Sequence, residues 1–361
     1  MPRIGCYYIS GTGDDRESVP DQICLDQNVC IHIDGFYFGK SNARNEDLKK
    51  LLLTFPFSPY KSRTHINSGW AIEEYSWERT GEYHDVKKRS FQWAIQQMLN
   101  WDPERIHFEF AQRRPPCERD KIWKKNLLPI PAKTIHPLYY LILHYGPMLK
   151  LCSLFKEASR RGGKQGRVWA FNNFVAWMMD DFGYCIAYET ALAKHALLEG
   201  DGNSRQEAQG IFHLGGKEAP EEMANKAWAA AWDMFYVRYA DPSGLGKSTK
   251  YSKIAIASED EDTPKAQSRA RLVETIADTS LYISESEIEL PPSEYSTDLG
   301  YGINFLSRSR PRDPKCDPYR ALDDLERSLG VQHRTITGFL QSPGTAESSL
   351  LETLERLDSR P

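Results

Sequence analysis

Four acidic residues that are far apart in the chain each stand within, or just after, a segment with a clear secondary-structure pattern. They are Asp26, Glu74, Asp233 and Asp260. Two carboxylates about 4 Å apart repel each other by roughly 4 kcal/mol at an effective dielectric constant of about 20. Mg²⁺ or Mn²⁺ relieves this repulsion, because these hard cations prefer oxygen ligands. If the four side chains converge, they predict metal-dependent hydrolysis of a phosphodiester.

Asp26 and Asp260 both follow short apolar segments that are typical of buried strands. The segments are residues 23–25 and 253–257. If these strands are parallel, both acids lie at the carboxyl edge of one sheet, where open α/β folds bind their ligands. Asp262, in the same acidic run as Asp260, is a further candidate metal ligand. Asn28 is predicted to cap the following helix or to orient Asp26, and it is also a candidate substrate contact.

Glu74 and Asp233 are predicted to lie on helices. Glu73 and Glu74 fall in early turns of a predicted helix, where the helix dipole favours acids. Because neighbouring residues differ by about 100° around a helix, only one of the two can face the sheet edge. Glu74 is favoured, and Glu73 is the alternative. Asp233 lies beside an apolar stripe in residues 221–239, where an acid is costly to bury unless it is paired or binds a metal.

Composition predicts a folded chain with a substantial core. The 361 residues are 40% hydrophobic and 12% aromatic, and the formal net charge is −4. This charge argues against a general polyanion binder, so a nucleic acid would have to be held by local basic patches. The seven cysteines form no CxxC pair and no apolar signal segment opens the chain, so a reduced, cytoplasmic location is expected. The longest apolar stretch, residues 137–155, is too interrupted to span a membrane.

The coarse pattern along the chain alternates predicted helices with irregular segments. Residues 4–9 predict an edge strand, and residues 34–45 are too rich in glycine and asparagine for a regular helix. Residues 156–167 predict a mobile basic loop, and the segment from about residue 286 predicts linkers and a polar tail. The predicted helices cover residues 46–55, 91–99, 138–155, 168–198 as a pair meeting near 180–183, 221–239 and 321–329.

Basic side chains in that predicted loop are the densest candidates for binding a nucleic-acid backbone. They are Arg160, Arg161, Lys164 and Arg167. A solvated loop without a ligand is the alternative. Lys247, Lys250 and Lys253 form a second basic edge. Residues 244–249 share the Gly-Lys-Ser-Thr ending of a phosphate-binding loop, but position 241 is Asp instead of Gly and a helix precedes it, which disfavours a nucleotide site.

Four segments, in their order along the chain, resemble the PIN-domain nucleases and, more narrowly, their bacterial PIN-like branch. They are LDQN at 25–28, GWAIEE at 69–74, AWDMFYVR at 231–238 and IASED at 256–260. The resemblance implies a Mg²⁺- or Mn²⁺-dependent endonuclease that cuts RNA, or less often DNA, as a toxin or phage-defence effector. It also implies an α/β fold in three layers, with a central parallel sheet flanked by helices. The last segment carries more acids than the family pattern needs.

The predicted domain organisation is a PIN-like domain at residues 1–265 and an irregular, partly linker-like C-terminal extension at 266–361. A long helical insertion at about 100–220 separates Glu74 from Asp233, so Asp181 or Glu189 is an additional candidate ligand. Two alternatives remain: a non-catalytic PIN-like scaffold that binds RNA or a partner protein, and a metal-free protein whose acids only cap helices. Homo-oligomerisation is left open.

Overall fold

The structure is a computed structural model that describes residues 3–11, 20–40, 44–54, 64–112, 114–117, 137–183, 187–198, 210, 218–240, 253–267, 270–276, 279–284 and 316–341. This part of the chain has an α/β architecture in which helix predominates. Its strands are β1 (Arg3–Ile4), β2 (Tyr7–Gly11), β3 (Gln22–Leu25), β4 (His65–Asn67), β5 (Ile254–Ser258), β6 (Ala270–Ile276) and β7 (Thr279–Ser284).

The helices are α1 (Gln27–Tyr37), α2 (Asn45–Thr54), α3 (Gly69–Ser76), α4 (Asp85–Leu99), α5 (Pro103–Ala111), α6 (Leu138–Arg161), α7 (Gly163–Trp177), α8 (Ala187–Leu198), α9 (Pro220–Ala240), α10 (Asp262–Gln267), α11 (Pro318–Leu329) and α12 (Thr335–Gln341). A π-helical segment, Met178–Phe182, continues α7. Gly183 ends it in the left-handed conformation, with φ of 79°. The predicted junction of two helices near residues 180–183 is therefore confirmed.

The chain divides into two compact units. The first contains Met1–Glu78, Tyr83–Thr134 and Tyr236–Pro264, and the second contains Arg79–Glu82, Ile135–Phe235 and Lys265–Pro361. Helix α9 changes unit between Phe235 and Tyr236. The second unit therefore combines part of the predicted insertion with the predicted C-terminal extension. The chain passes from the first unit to the second near residue 265, where the sequence predicted a boundary.

The first unit is built on a five-stranded sheet with the order β1-β2-β5-β3-β4. Strand β3 runs parallel to β5 on one side and to β4 on the other, with Leu25 opposite Ala257. Strands β1 and β2 are antiparallel, joined through Gly5 at φ of 61°. The expectation of a central parallel sheet is therefore correct for β5, β3 and β4 only, and the whole sheet is mixed.

The core of the first unit lies between this sheet and helices α1, α2 and α4. All four residues of β3 are buried, as expected for a central parallel strand with both faces covered. On α1, Val29, Cys30 and Ile33 are fully buried and recur at helical spacing. This packing fixes the direction in which α1 leaves the carboxyl end of β3.

Three local predictions in the first unit were wrong. Helix α1 continues to Tyr37, although residues 34–45 were expected to be irregular, because Asp34 and Gly35 are buried on its core face. Glu73 and Glu74 lie in the second half of the eight-residue α3 and not in its early turns. The predicted edge strand at 4–9 is a two-stranded hairpin in which β1 forms the edge.

The second unit contains a helical group in which α6 packs against α7 and α7 packs against α8. Close packing requires glycine at position 146 of α6, because an added Cβ would lie 2.8 Å from the Phe182 ring. Helix α11 also packs on α6. Its Glu326 is fully buried and accepts hydrogen bonds from Tyr145 Oη at 2.7 Å and from Arg79 Nη1 at 3.3 Å. The C-terminal residues therefore include part of a packed core.

The predicted basic loop at residues 156–167 is also wrong, because these residues are almost entirely helical. Helix α6 continues to Arg161, and α7 begins at Gly163. Gly162 and Gly163 have φ of 74° and 62°, so two glycines suffice to turn the chain between the helices. The predicted linkers after residue 286 and the tail after 341 lie outside the described residues. None of the described helices is long and apolar enough to cross a membrane.

Candidate functional site

Asp26 occupies the junction between the end of β3 and the start of α1. Its backbone N–H donates to Ala257 O of β5 at 3.0 Å, which holds the junction against the neighbouring parallel strand. Its carboxylate accepts two short hydrogen bonds, from Gln27 N to Oδ1 and from Ser258 Oγ to Oδ2, both at 2.6 Å. The side chain is 5% exposed. Asp26 follows the end of β3 and is hydrogen-bonded to Ala257 and Ser258 of β5, so these two neighbouring strands fix its position.

Asp260 follows the end of β5, the strand beside β3. Ser258 Oγ accepts from Asp260 N at 2.9 Å while it donates to Asp26. Asp260 Oδ1 in turn accepts from Asp262 N at 2.9 Å, at the first residue of α10. One serine hydroxyl thus links the segments that carry the two acids, and the expectation that both lie at one sheet edge is confirmed by the parallel pairing of β3 and β5.

The charge on Asp26 is unfavourable in this position. Burial raises the pKa of its carboxyl from 3.8 to about 6, and the negative charge of Asp260 acts in the same direction. The hydrogen bonds from Ser258 and Gln27 oppose this rise without cancelling it. A cation bound beside Asp26 would offset this destabilisation by favouring the charged form.

Glu73 and Glu74 have different partners, which separates the two sequence alternatives. Glu73 Oε1 accepts from the buried Lys88 Nζ at 2.6 Å, and Glu73 Oε2 accepts from Trp77 Nε1 at 3.1 Å. Glu73 therefore forms a structural ion pair that joins α3 to α4. Glu74 Oε2 instead accepts from Tyr236 Oη of α9 at 3.1 Å.

Glu74 and Asp26 act on the same buried groups. Burial, then the charge of Asp26, then that of Glu74 raise the pKa of the Cys30 thiol. Burial, followed by the charges of Glu74 and Asp26, raises the pKa of the Tyr236 phenol. Both carboxylates therefore act electrostatically on Cys30 and Tyr236 in the first unit, and Asp260 is linked to Asp26 through Ser258.

The acidic run after β5 is divided between two sets of partners. Ser258 and Asp260 belong to the group around Asp26, as described above. Glu259 instead contacts His32 Nε2 of α1 at 3.2 Å and Arg44 Nη2 at 2.5 Å. Glu261 accepts from the hydroxyl of Tyr8 at 3.3 Å. Glu259 and Glu261 therefore have structural partners of their own, which tie this segment to α1, Arg44 and β2.

His32 is a feature that the sequence pattern did not reveal. Its Nδ1 lies 2.7 Å from Tyr7 Oη, so it bridges buried Tyr7 and Glu259. Burial is the main cause that lowers the pKa of His32; the Glu259 charge opposes this and the Arg44 charge adds to it. Only the proximity of β2 and α1 in space brings these groups together, and no sequence spacing signals it.

The remaining predicted acids lie elsewhere. Asp233 is half-buried on the part of α9 that belongs to the second unit, one helical turn before Tyr236. Asp181 is exposed in the π-helical segment. Glu189 is fully buried, and its Oε1 contacts His144 Nδ1 at 2.5 Å within the second unit. The convergence of Asp233 with the acids of the first unit stays a prediction.

Four of the five predicted substrate contacts are exposed, and Arg167 is half-buried. Asn28 is exposed at the second residue of α1, so the prediction that it caps this helix was wrong: the N-cap is Asp26, whose side chain accepts from Gln27 N.

At the α6–α7 turn, Arg160, Arg161 and Lys164 are exposed. Arg160 and Arg161 pair with Glu157 at 3.4 and 3.3 Å, and the Arg161 guanidinium lies 3.7 Å from the centre of the Trp169 ring. Arg167 donates from Nε to Leu197 O at 3.0 Å, which ties α7 to α8.

The second basic edge is mostly outside the described residues. This applies to Lys247, Lys250 and the whole phosphate-loop-like segment at 244–249. Lys253 is described and exposed, immediately before β5, and its backbone N–H donates to Asp21 Oδ2 at 3.1 Å.

Asp26, Glu74 and Asp260 do not form a complete ligand set for a divalent cation. Around Mg²⁺, oxygen ligands at about 2.1 Å lie at most about 4.2 Å apart. Among the described residues, Asp26, Glu74 and Asp260 do not place three ligand oxygens within 4.8 Å of one another; the only such group of acidic and histidine ligands is in the turn at 78–84. In this arrangement one ion would contact at most two of the three acids directly. The others would act through water, a mode that Mg²⁺ commonly adopts.

Comparison of the chain with protein families, with curated proteins and with solved structures gives no match.

Proposed function

We propose that the chain is a Mg²⁺- or Mn²⁺-dependent nuclease that hydrolyses phosphodiester bonds at the acidic edge formed by Asp26, Asp260 and Glu74. The observation that carries the proposal is the placement of Asp26 and Asp260 after adjacent parallel strands, with a buried Asp26 carboxyl whose pKa is raised to about 6. Perturbed carboxyls at a strand-end edge are common at functional sites.

Each residue has a distinct role in this proposal. Asp26 and Asp260 hold the cation, and Ser258 keeps their segments at a fixed spacing through hydrogen bonds of 2.6 and 2.9 Å. Glu74 supplies a third carboxylate, directly or through water. Asp233 and Asp262 are further candidate ligands. A bound cation would supply Lewis-acid activation of water and neutralise charge that develops on the phosphate.

RNA is the proposed substrate class, with DNA as the second possibility. A chain with net charge −4 must contact a polyanion through local basic groups, and Arg160, Arg161 and Lys164 are exposed within five residues at the α6–α7 turn. The PIN-like resemblance of the four sequence segments belongs to the same proposal, as does a toxin or defence role. The six described cysteines are free thiols, which supports the proposed reducing, cytoplasmic location.

The test is cleavage of single- and double-stranded RNA and DNA by the full chain with Mn²⁺, Mg²⁺ or EDTA. Asp26→Asn and Asp260→Asn should each lower the Mn²⁺-dependent rate at least about 100-fold, since each removes a charged ligand. The matched control is Asp102→Asn. Asp102 caps α5 by accepting from Arg105 N at 2.7 Å, and Asn is an equally good cap, so the rate should stay within twofold.

Two outcomes would contradict the nuclease. Cleavage that persists in EDTA would show that the reaction does not depend on a divalent cation. Specific Mn²⁺ binding that is lost in Asp26→Asn, without cleavage of any substrate in the panel, would favour the alternative of a non-catalytic scaffold.

A further inference from the structure

Lys150 is a half-buried lysine on α6 whose amine contacts an aromatic ring instead of an oxygen acceptor. Its Nζ lies 5.5 Å from the centre of the Trp177 ring. Among the residues that the structure describes, this amine makes no hydrogen bond and no ion pair. Lys156, six residues further along the same helix, is also half-buried, but its amine donates to Glu218 O at 2.9 Å. The two lysines therefore share a helix and a degree of burial and differ in what the amine contacts.

The surroundings of the Lys150 side chain are aromatic. Trp177 and Phe182 stack on each other, with ring centres 4.9 Å apart. Both rings pack on Gly146, one helical turn before Lys150, where an added Cβ would lie 2.8 Å from Phe182 and 3.5 Å from Trp177. Asp181, an exposed acid of the π-helical segment, is the charged group that acts on the Lys150 amine. An ammonium group in such a place loses hydration without gaining an acceptor, which disfavours its charged form.

The neutral form of Lys150 is correspondingly favoured. Burial lowers the pKa of its amine, and the negative charge of Asp181 opposes this without cancelling it. Only a neutral amine is a nucleophile, and an ordinary lysine with a pKa of about 10.4 is neutral in about 0.1% of molecules at pH 7.5. Each unit by which the pKa falls raises this fraction about tenfold. The geometry therefore makes Lys150 more nucleophilic than a lysine whose amine is bonded or solvated.

We propose that Lys150 is a site of acylation by small, uncharged acyl thioesters. The lone pair of the neutral amine attacks the thioester carbonyl carbon, the C–S bond breaks, and the thiol leaves with the proton that the amine gives up. The product is an uncharged amide, so the burial that disfavours the ammonium group does not disfavour the product. A small donor without charge suits a half-buried amine beside aromatic rings and Asp181. The site lies wholly in the second unit, so its test is independent of the proposed nuclease.

The experiment is acetylation of the full chain with a limiting amount of S-acetyl-N-acetylcysteamine between pH 6 and pH 10, with the rate at each lysine measured by mass spectrometry of peptides. At pH 7.5, Lys150 should react at least about fivefold faster than Lys156 and than the exposed Lys164. Asp181→Asn removes the charge that favours the ammonium form. It should raise the rate at Lys150 roughly two- to fivefold and leave the rate at Lys156 unchanged.

Unfolding separates an effect of the fold from an effect of local sequence. In denaturing urea, the rates at Lys150, Lys156 and Lys164 should converge to within about twofold, because all three amines are then solvated. A rate at Lys150 that does not exceed that at Lys164 in the folded chain overturns the proposal, because burial would then hinder the donor more than it activates the amine. A preference for Lys150 that persists in urea also overturns it, because the fold would not be its cause.

Discussion

Substitution of Asp26 by Asn should stabilise the cation-free protein at neutral pH, although it removes a hydrogen-bonded group from the core. The carboxyl of Asp26 has a pKa of about 6 in the folded chain, against 3.8 as its ordinary value. Between these two values the folded state binds more protons than the unfolded state. The free energy of unfolding therefore falls as the pH rises through this window.

The magnitude follows from the shift in pKa. Roughly two units at 1.36 kcal/mol each give a penalty of about 3 kcal/mol, fully present above pH 6 and absent below pH 4. Asn cannot ionise, and its amide oxygen can still accept from Gln27 N. At pH 4, where Asp26 is protonated, the two proteins should differ by less than about 1 kcal/mol. At pH 7.5, Asp26→Asn should be more stable by about 3 kcal/mol.

The assay is urea unfolding in EDTA at half-unit steps from pH 4 to pH 8. The difference between the two proteins removes the titration of the groups that do not interact with Asp26. With Mn²⁺ at about 100 times its Kd, the unsubstituted chain should gain about 2.7 kcal/mol, whereas Asp26→Asn gains much less. A difference curve without slope between pH 4 and pH 6 would refute the reasoning, because Asp26 would then titrate as an ordinary carboxyl.

Two other perturbations test the second unit. Glu326→Gln should lower the free energy of unfolding by about 2 kcal/mol, because it removes the fully buried counter-charge of Arg79 and leaves this guanidinium only the partly exposed Glu221. Asp324→Asn, an exposed acid on the same helix, should cost less than about 1 kcal/mol in the same urea experiment. Arg160→Ala should reduce the salt dependence of single-stranded RNA binding by about 0.7 in log–log slope if Arg160 contacts one phosphate. An unchanged slope would mean that the exposed arginine is solvated surface and that the basic contacts lie elsewhere.

The strand-end acids were predictable because their signal is local. A short buried strand appears in sequence as a continuous apolar run, and the residue that follows it is fixed at the sheet edge. The structure confirms this placement for Asp26 and Asp260, and it confirms the long helix that contains Asp233. In each case the pattern extends over neighbouring residues and needs no knowledge of distant contacts.

The failures share a cause, which is that tertiary contacts overrode composition. Gly35 lies inside α1 although glycine costs about 1 kcal/mol in a helix, because burial of that face compensates. The basic segment at 156–167 has the composition of a loop, yet the chain turns only at Gly162 and Gly163 and is helical on either side. Glu73 could not be separated from Glu74 by sequence, because its partner Lys88 lies on the following helix.

The alternative that the acids only cap helices explains Asp102 and Asp317 fully but Asp26 only in part, although Asp26 is the N-cap of α1. Asp102 and Asp317 are exposed, and each accepts from a backbone N–H two or three residues ahead, at 2.7 and 2.9 Å, as helix caps do. Asp26 instead accepts from the next backbone N–H, that of Gln27, and its second carboxylate oxygen accepts from Ser258 Oγ of another strand. It is only 5% exposed. Capping requires no burial, and burial beside Asp260 costs stability. A cation that binds at this edge would offset this loss of stability. The pH-dependent destabilisation at Asp26 and its reduction by Mn²⁺ must therefore be measured on the same protein.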